Sequence, residues 1–200
     1  QSGFITDLGF DMYHKVLENT VAELKESHFA DLFKDELAKK AKIIAQDCTI
    51  ETDLEILIPE DYVGNITERL SLYSQLDNIK NEEELGVFEK SLEDRFGKIP
   101  EPVYDLIETV RIRWKAESLG FEKLLIKNGS LKAYFVSADN KKYFNSDIFG
   151  RILTFVQTHP KKCKMKDYKG RPILKIEDIE NIEQAKAIIF DMAGEEVETA

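Results

Sequence analysis

Two amphipathic helices with well-defined ends constrain this chain more than any other feature. They lie between Arg69 and Val103. Apolar residues of the second helix repeat at helical spacing and form one stripe: Leu85, Phe88, Leu92 and Phe96. Asn81 and Glu84 have the spacing of a capping box, and Gly97 is typical of a helix end. The pattern predicts a helix that ends at Phe96 and buries one face.

Two opposite charges, Asp94 and Arg95, lie outside this stripe and beside the glycine that ends the helix. A rigid helix that presents such a pair can serve as a recognition epitope, because the pair engages complementary charges on a partner. A solvated helix end without a function is the simpler interpretation, since exposed ion pairs contribute little. The motif alone leaves both interpretations open.

Composition places the chain among globular proteins. It has 200 residues, 42% of them hydrophobic, which is enough for a sizeable core. No apolar run approaches the roughly 20 residues that span a bilayer, and no secretory leader opens the chain. The two cysteines are far apart and have no paired spacing, so we expect both to be reduced. These features favour a cytoplasmic protein, or part of one, that does not bind a membrane.

A basic segment stands out against the net charge of −10. An acidic chain is repelled by phosphate backbones, so general nucleic-acid binding is disfavoured. Between residues 161 and 175 a single acid, Asp167, accompanies seven cations: Lys161, Lys162, Lys164, Lys166, Lys169, Arg171 and Lys175. One hypothesis is that Lys162, Lys164, Lys166, Lys169 and Arg171 contact nucleic acid. The alternative is a solvated strand face, or a sheet edge that lysines protect from aggregation.

Helices and hairpins alternate along the chain without regular βαβ crossovers. This order predicts an α+β fold, with helices packed on a small, mostly antiparallel sheet and a helical extension at the N-terminus. The predicted helices are Phe10–Leu24, Phe29–Leu37, Asn65–Ile79, Asn81–Phe96, Pro102–Leu119, one from Asn145 to about His159, and a last one that begins at the capping box of Asn181 and Gln184. A first strand is predicted at Thr49–Ile58. Two hairpins are predicted, one of Phe121–Lys127 and Leu131–Val136 around Asn128 and Gly129, and one of Lys162–Met165 and Pro172–Ile176.

Common catalytic motifs are absent. The sequence has no G-x-x-x-x-G-K-[ST] phosphate loop, no G-x-S-x-G and no H-E-x-x-H. His159 and Cys163 are four residues apart, but the proline after the histidine would break a helix that aligned them. We therefore predict no catalytic residues, no metal site and no cofactor in this chain. A small enzyme with unfamiliar motifs is the remaining alternative.

Several motifs together resemble the C-terminal domain of the bacterial transcription-repair coupling factors, the Mfd family. They are R-L-x-x-Y from Arg69, then E-L, then L-x-D-R-F-G-x-x-P-x-P-V ending at Val103. Upstream, LEILIPEDYV resembles the strand and turn that open this domain, and Gln1, Ser2 and Gly3 resemble the end of a translocation motif shared with RecG. The resemblance implies the end of a motor module in residues 1–47 and a regulatory domain in residues 48–194. The apolar spacing from Phe29 to Leu37 indicates a linker helix within the first segment, and we expect residues 195–200 to be a flexible acidic tail.

The resemblance also implies a function for the longer parent protein. That protein would be an ATP-dependent DNA translocase, with ATP and Mg²⁺ in its motor, which displaces stalled RNA polymerase and recruits excision repair through UvrA. Its C-terminal domain would dock on the UvrB-like N-terminal module and mask the UvrA-binding surface. Asp94 and Arg95 match the family positions implied in that docking.

Overall fold

The computed structural model of the chain describes residues 47–168 and 171–195. They divide into two compact units. The helical unit contains residues 55–107, and the sheet unit contains residues 47–54 with the described residues from 108 onward. None of the helices in these described ranges is long and apolar enough to cross a membrane.

The helical unit consists of two helices and the start of a third. Their bounds are α1, Ile66–Asn78; α2, Glu82–Phe96; and α3, Glu101–Ser118, which leaves the unit after Ile107. Asn65 caps α1 and Asn81 caps α2, each accepting a hydrogen bond from the backbone N–H three residues on. All three helices were predicted to within one residue at each end. Their capping and breaking residues act locally, so the sequence alone placed the ends.

The R-L-x-x-Y motif fastens the preceding loop to α1. Arg69 and Tyr73 lie on the buried side of this helix. One Nη atom of Arg69 donates to the carbonyl oxygen of Val63 at 2.6 Å, and the Tyr73 hydroxyl accepts a hydrogen bond from the N–H of Ile58 at 2.8 Å. The segment before α1 is irregular, so its backbone groups have no hydrogen-bond partners within a strand or helix. These two side chains provide such partners. The motif therefore has a structural task in this chain.

The sheet unit is built on five strands in the order β1-β2-β3-β5-β4. β1 is parallel to β2, and the other three pairs are antiparallel, so the prediction of a mostly antiparallel sheet in an α+β fold is confirmed. The strand bounds are β1, Thr49–Thr52; β2, Phe121–Lys127; β3, Ser130–Phe135; β4, Cys163–Tyr168; and β5, Arg171–Glu177.

Three further helices belong to the sheet unit: α4, Lys141–Phe144; α5, Asp147–Thr158; and α6, Ile182–Ala193. α5 contacts α6 and β4. One face of the sheet supplies the core, because alternate residues of each strand are buried. The buried strand residues include Ile50, Leu124, Ile126, Leu131, Ala133, Phe135, Leu174 and Ile176.

The turn between β2 and β3 confirms the predicted two-residue hairpin. Asn128 has φ 53° and Gly129 has φ 66°, as a type I′ turn requires. Two positive φ angles in succession suit the right-handed twist of the flanking strands. This turn fixes which face of each strand is buried, because a shift of one residue would exchange the two faces.

Two predicted boundaries were wrong. The first strand ends at Thr52, well before Ile58, because the Thr52 hydroxyl accepts a hydrogen bond from the N–H of Leu54 and turns the chain. The cap of α5 is Ser146, whose hydroxyl accepts from the N–H of Phe149 at 3.4 Å, whereas Asn145 ends the short helix α4. Asn145 and Ser146 are both favourable capping residues. The sequence alone does not show which of them begins the helix when the short helix before them is not recognised.

Several predictions fall outside the described residues: the two helices before residue 40, Lys169, and the tail after Glu195. Of the aromatic residues on α1 and α3, Trp114 is only half-buried, whereas Tyr73 is buried. The last helix confirms its capping box, since the N–H of Gln184 donates to Asn181 Oδ1 at 2.8 Å.

Candidate protein-interaction surface

The C-terminal end of α2 is held in place by three local contacts. Gly97 has φ 85°, a conformation that favours glycine, and its N–H donates to the carbonyl of Glu93. The hydroxyl of Tyr62 donates to the carbonyls of Leu92 at 3.3 Å and Gly97 at 3.2 Å. Burial, together with the carboxylate of Glu93, raises the pKa of Tyr62, so this hydroxyl keeps its proton at neutral pH. The helix end is therefore a rigid platform.

Arg95 uses its guanidinium within the helical unit. It forms an ion pair with Glu68 of α1, and its Cζ lies 4.7 Å from the centre of the Phe96 ring. Both members of the ion pair are partly exposed, so solvent screens the pair and its contribution to stability is small. This surface therefore includes Glu68 as well as Arg95. The sequence did not indicate Glu68 as a candidate site residue. Glu68 lies in the first turn of α1, 27 positions before Arg95. A separation of this length along the sequence does not indicate that two residues are in contact.

The side chain of Asp94 has no structural task among the described residues. Its side chain is exposed and forms no hydrogen bond or ion pair with any residue in the described part of the chain. It also lies in the last turn of α2, where the helix dipole places partial negative charge. A carboxylate there costs about 0.3–1 kcal/mol. Within the described residues, Asp94 therefore makes no contact that stabilises the fold.

Asp94 and Arg95 point in different directions. Consecutive residues of an α-helix are rotated by about 100°. Arg95 faces α1, while Asp94 shares the outermost side of α2 with Val87, which is 67% exposed. A partner must therefore cover the end of the helix to reach both charges, and their role in docking stays a prediction.

The basic segment lies at the opposite edge of the sheet from β1. β4 is the edge strand, with Lys164 and Lys166 exposed and Cys163 buried. Lys162 and Arg171 are also exposed. This placement agrees with lysines that protect an edge strand, and it leaves nucleic-acid contact as an untested prediction.

Glu177 partly neutralises this segment. Its Oε1 lies 2.7 Å from Lys175 Nζ and 4.0 Å from Lys164 Nζ. The hydrogen bond from Lys175 and the nearby lysine charges lower the pKa of Glu177. A net charge counted along residues 161–175 therefore overstates the local positive charge.

Comparison with known proteins decides the family. The model of the TRCF domain matches residues 52–146, which include α1, α2, α3 and the first hairpin. The chain carries a TRCF domain. The predicted resemblance is confirmed.

The relatives of this TRCF domain are much longer proteins. The transcription-repair-coupling factor of Rickettsia conorii is 31% identical over 199 residues, which cover 96% of this chain and 16% of the relative. That of Escherichia coli is 31% identical over 145 residues, covering 72% of this chain and 12% of the relative. The chain thus spans about one sixth or less of the length of these relatives.

A solved structure shares the fold. The crystal structure of the C-terminal domain of a transcription-repair coupling factor matches with a TM-score of 0.61 and 16% identity, covering 76% of this chain and 94% of the solved chain. At this identity the likeness supports the fold alone. It agrees with the α+β architecture described above.

Neither of the two cysteines of the chain resembles a reactive thiol. Cys48 and Cys163 are both free and buried, and burial raises the pKa of each. Among residues 47–168 and 171–195 no three histidine, cysteine, aspartate or glutamate side chains form a group that could hold a metal ion.

A first prediction concerns the outer side of α2. Gly86 is exposed in the interior of this helix, and a Cβ added there would meet nothing within 4 Å. We expect Gly86→Ala to stabilise the helical unit by about 1 kcal/mol, because alanine loses less backbone entropy in a helix. Chemical denaturation measures the gain. Ser91→Ala on the same exposed side is the control and should gain less, since serine already has a Cβ; equal gains would contradict the explanation.

Proposed function

We propose that this chain is a regulatory interaction domain of a DNA translocase that couples transcription to repair. In this proposal it docks on a UvrB-like N-terminal module of the same protein and masks the surface that binds UvrA. The motor, with its ATP and Mg²⁺, and the contacts to RNA polymerase and DNA belong to other parts of the parent protein. The TRCF domain and the likeness to transcription-repair-coupling factors support this placement.

One observation supports α2 as the docking element. Asp94 lowers the stability of the free helix, yet the contacts around it keep the helix end rigid. Such a residue is expected where a cation of a partner compensates the charge, because binding surfaces tolerate local costs in stability. Asp94 would contact a basic group of the partner, and Arg95 with Glu68 would flank that contact.

The mechanism is an equilibrium between a closed and an open parent protein. In the closed form weak contacts suffice, because two modules on one chain meet at effective concentrations of order millimolar. The open form would appear when the motor engages polymerase and DNA, since those contacts favour it by their differential affinity. UvrA binding then reports the open fraction.

The substitution Asp94→Arg tests this proposal. In the full-length protein that carries this chain, we expect it to increase UvrA retained in a pull-down about fivefold or more, as a lost coupling of about 1 kcal/mol implies. The same substitution should slightly raise the thermal midpoint of the 200-residue chain, since arginine suits a helix C-terminus. An increase in UvrA binding without a fall in the thermal midpoint distinguishes a docking role from damage to the fold.

Glu183→Arg on the exposed first turn of α6 provides the control, because it makes the same charge change in the sheet unit. It should leave UvrA binding unchanged. An unaltered pull-down for a folded Asp94→Arg protein, or an equal increase for Glu183→Arg, would contradict the assignment.

Arg95 needs a paired design, because its reversal also breaks the ion pair with Glu68. Arg95→Glu should raise UvrA binding. Adding Glu68→Arg restores an internal pair with reversed polarity. If Arg95 contacts the partner, the double variant regains stability but still binds more UvrA; if it acts only through Glu68, the double variant returns to the original level and the docking role of Arg95 is rejected.

A further inference from the structure

The face of the sheet opposite the core is unusually basic. Seven of its strand residues are cations, and we call this surface the basic sheet face: Lys123, Lys127, Lys132, Lys164, Lys166, Arg171 and Lys175. They come from four strands, β2 to β5. The basic segment seen in the sequence supplies only the half of this surface that lies on β4 and β5.

The register of the strands aligns the cations in rows across the sheet. Lys132 of β3 is opposite Lys175 of β5, which in turn is opposite Lys164 of β4. Adjacent strands are about 4.8 Å apart, and like charges directly opposite each other destabilise a sheet. Three lysines in one row therefore cost stability. Protection of the sheet edge accounts only for Lys164, since Lys132 and Lys175 lie on internal strands.

Carboxylates neutralise only part of this charge. Glu51 lies 2.6 Å from Lys123 Nζ and 3.7 Å from Lys127 Nζ, Glu177 pairs with Lys175, and Glu122 lies 3.7 Å from Arg171. Seven cations against three acids leave a net charge of +4 in a chain whose total is −10. Lys132 and Lys166 form no ion pair with any residue that the structure describes.

The second row places apolar groups among the cations. Tyr134 of β3 is opposite Lys123 on one side and Ile173 on the other, and Lys166 follows Ile173. Lys123 Nζ lies 5.9 Å from the centre of the Tyr134 ring. Tyr134 and Ile173 are half-buried, so solvent still reaches part of each side chain. An aromatic ring beside lysines is an arrangement on which a nucleic-acid base can stack while its phosphates contact the lysines.

We propose that the basic sheet face binds a single strand of nucleic acid. The charge of the face complements a polyanion, and the ring of Tyr134 suits a base that is free to leave its stack. A duplex keeps its bases paired and would use only the cations. An acidic protein segment would use the cations but would gain nothing from stacking. This site lies in the sheet unit, and it adds a ligand that the proposed docking through α2 does not require.

Binding of the 200-residue chain to a fluorescent oligothymidylate tests the proposal, because this probe forms no secondary structure. We expect the fluorescence anisotropy to rise on binding at 50 mM salt. If about four phosphates are neutralised, the affinity should fall about 50-fold between 50 and 200 mM salt. No binding at 50 mM salt would overturn the proposal.

Neutral variants locate the contact. Lys132→Gln and Lys164→Gln should each reduce affinity about five- to tenfold at 50 mM salt, because each removes one cation from the polyanion contact. Both should also keep or slightly raise the thermal midpoint, since the repulsion along the row is relieved. Lys142→Gln on exposed α4 makes the same change away from the face and should alter neither quantity. Equal losses for Lys142→Gln and Lys132→Gln would reject the site.

Tyr134 distinguishes a nucleic acid from other anions. Tyr134→Leu should reduce the affinity about fivefold or more, because base stacking on an aromatic ring is lost, whereas Tyr134→Phe should retain it. Equal affinities of the Leu and Phe variants would overturn the stacking role. If polyglutamate competes as well as an oligothymidylate of equal charge, the ligand is an acidic protein surface and the proposal is refuted. Tighter binding of a duplex than of the single strand would also refute the proposal.

Discussion

Replacement of Gly120 by alanine is expected to destabilise the sheet unit by about 3 kcal/mol or more, through a positive φ and a steric clash together. Gly120 has φ 82°, which costs an alanine about 1 kcal/mol. A Cβ at this position would also lie 2.6 Å from Cζ of Tyr143 and closer still to its Cε2. Chemical denaturation of the wild-type and variant chains measures the difference.

The turn glycine Gly129 provides a matched control for this prediction. Its φ is 66°, but an added Cβ there would meet nothing within 4 Å. Gly129→Ala should therefore cost only the conformational part, about 1 kcal/mol. The difference between the two variants isolates the ring contact. Equal losses would show that the Tyr143 ring moves aside at little cost, which contradicts the explanation.

The ring of Tyr143 has little freedom to move. Its hydroxyl donates to the carbonyl of Leu119 at 2.5 Å, and burial raises its pKa, so it stays protonated as a donor. Its ring also packs in an aromatic group, with ring centres 4.9 to 6.4 Å apart, that contains Phe135, Phe144 and Phe149. A Cβ at position 120 would therefore displace this ring and disturb the core of the sheet unit.

Local signals made much of the fold predictable. Asn81 with Glu84 and Asn181 with Gln184 act within one helical turn, and the Asn128–Gly129 turn acts within two residues. The energetic preference in each case resides in adjacent residues, so the sequence displays it directly.

Features that depend on distant partners were missed. β1 pairs in parallel with β2 across more than 70 positions, and the carboxylate of Asp53 then accepts from the N–H of Asn128 at 2.9 Å. Alternation alone extended this strand too far, because it carries no information on where the partner strand ends. The short helix α4 was missed for a related reason: four residues are too few for a periodic pattern.

The sequence indicated some of the residues of each candidate surface but not all of them. The spacing of α2 placed Asp94 and Arg95 outside the buried stripe, but only the fold brings Glu68 to Arg95. Likewise Lys123 and Lys132 alternate with buried residues in their own strands, yet the strand order was needed to align them with Lys164. The buried role of Arg69 could have been predicted from its position in the sequence. It precedes Leu72, Tyr73 and Leu76 at helical spacing, so a charged residue occupies a position where an apolar one is expected.

Arg69→Met is expected to destabilise the helical unit by about 2–3 kcal/mol, the second largest effect we predict. Arg69 is 8% exposed, and it donates to the carbonyls of Val63 at 2.6 Å and Gly64 at 3.4 Å. Methionine fills much of the space of the aliphatic stem but leaves these carbonyl oxygens without their charged donor. Buried acceptors that lose a charged partner account for most of the cost.

Two comparisons make this prediction specific. Arg69→Lys should recover part of the loss, because an ammonium group can reach one carbonyl but cannot present the planar fork of a guanidinium. Arg151→Met should cost little, since Arg151 is exposed and water can replace its bond to the carbonyl of Ala193 at 3.2 Å. Chemical denaturation and limited proteolysis of the loop before α1 give the readout. Because the loop depends on Arg69 for its fastening, Arg69→Met should be cut faster there; a loop as resistant as in the wild type would show that Tyr73 alone holds it.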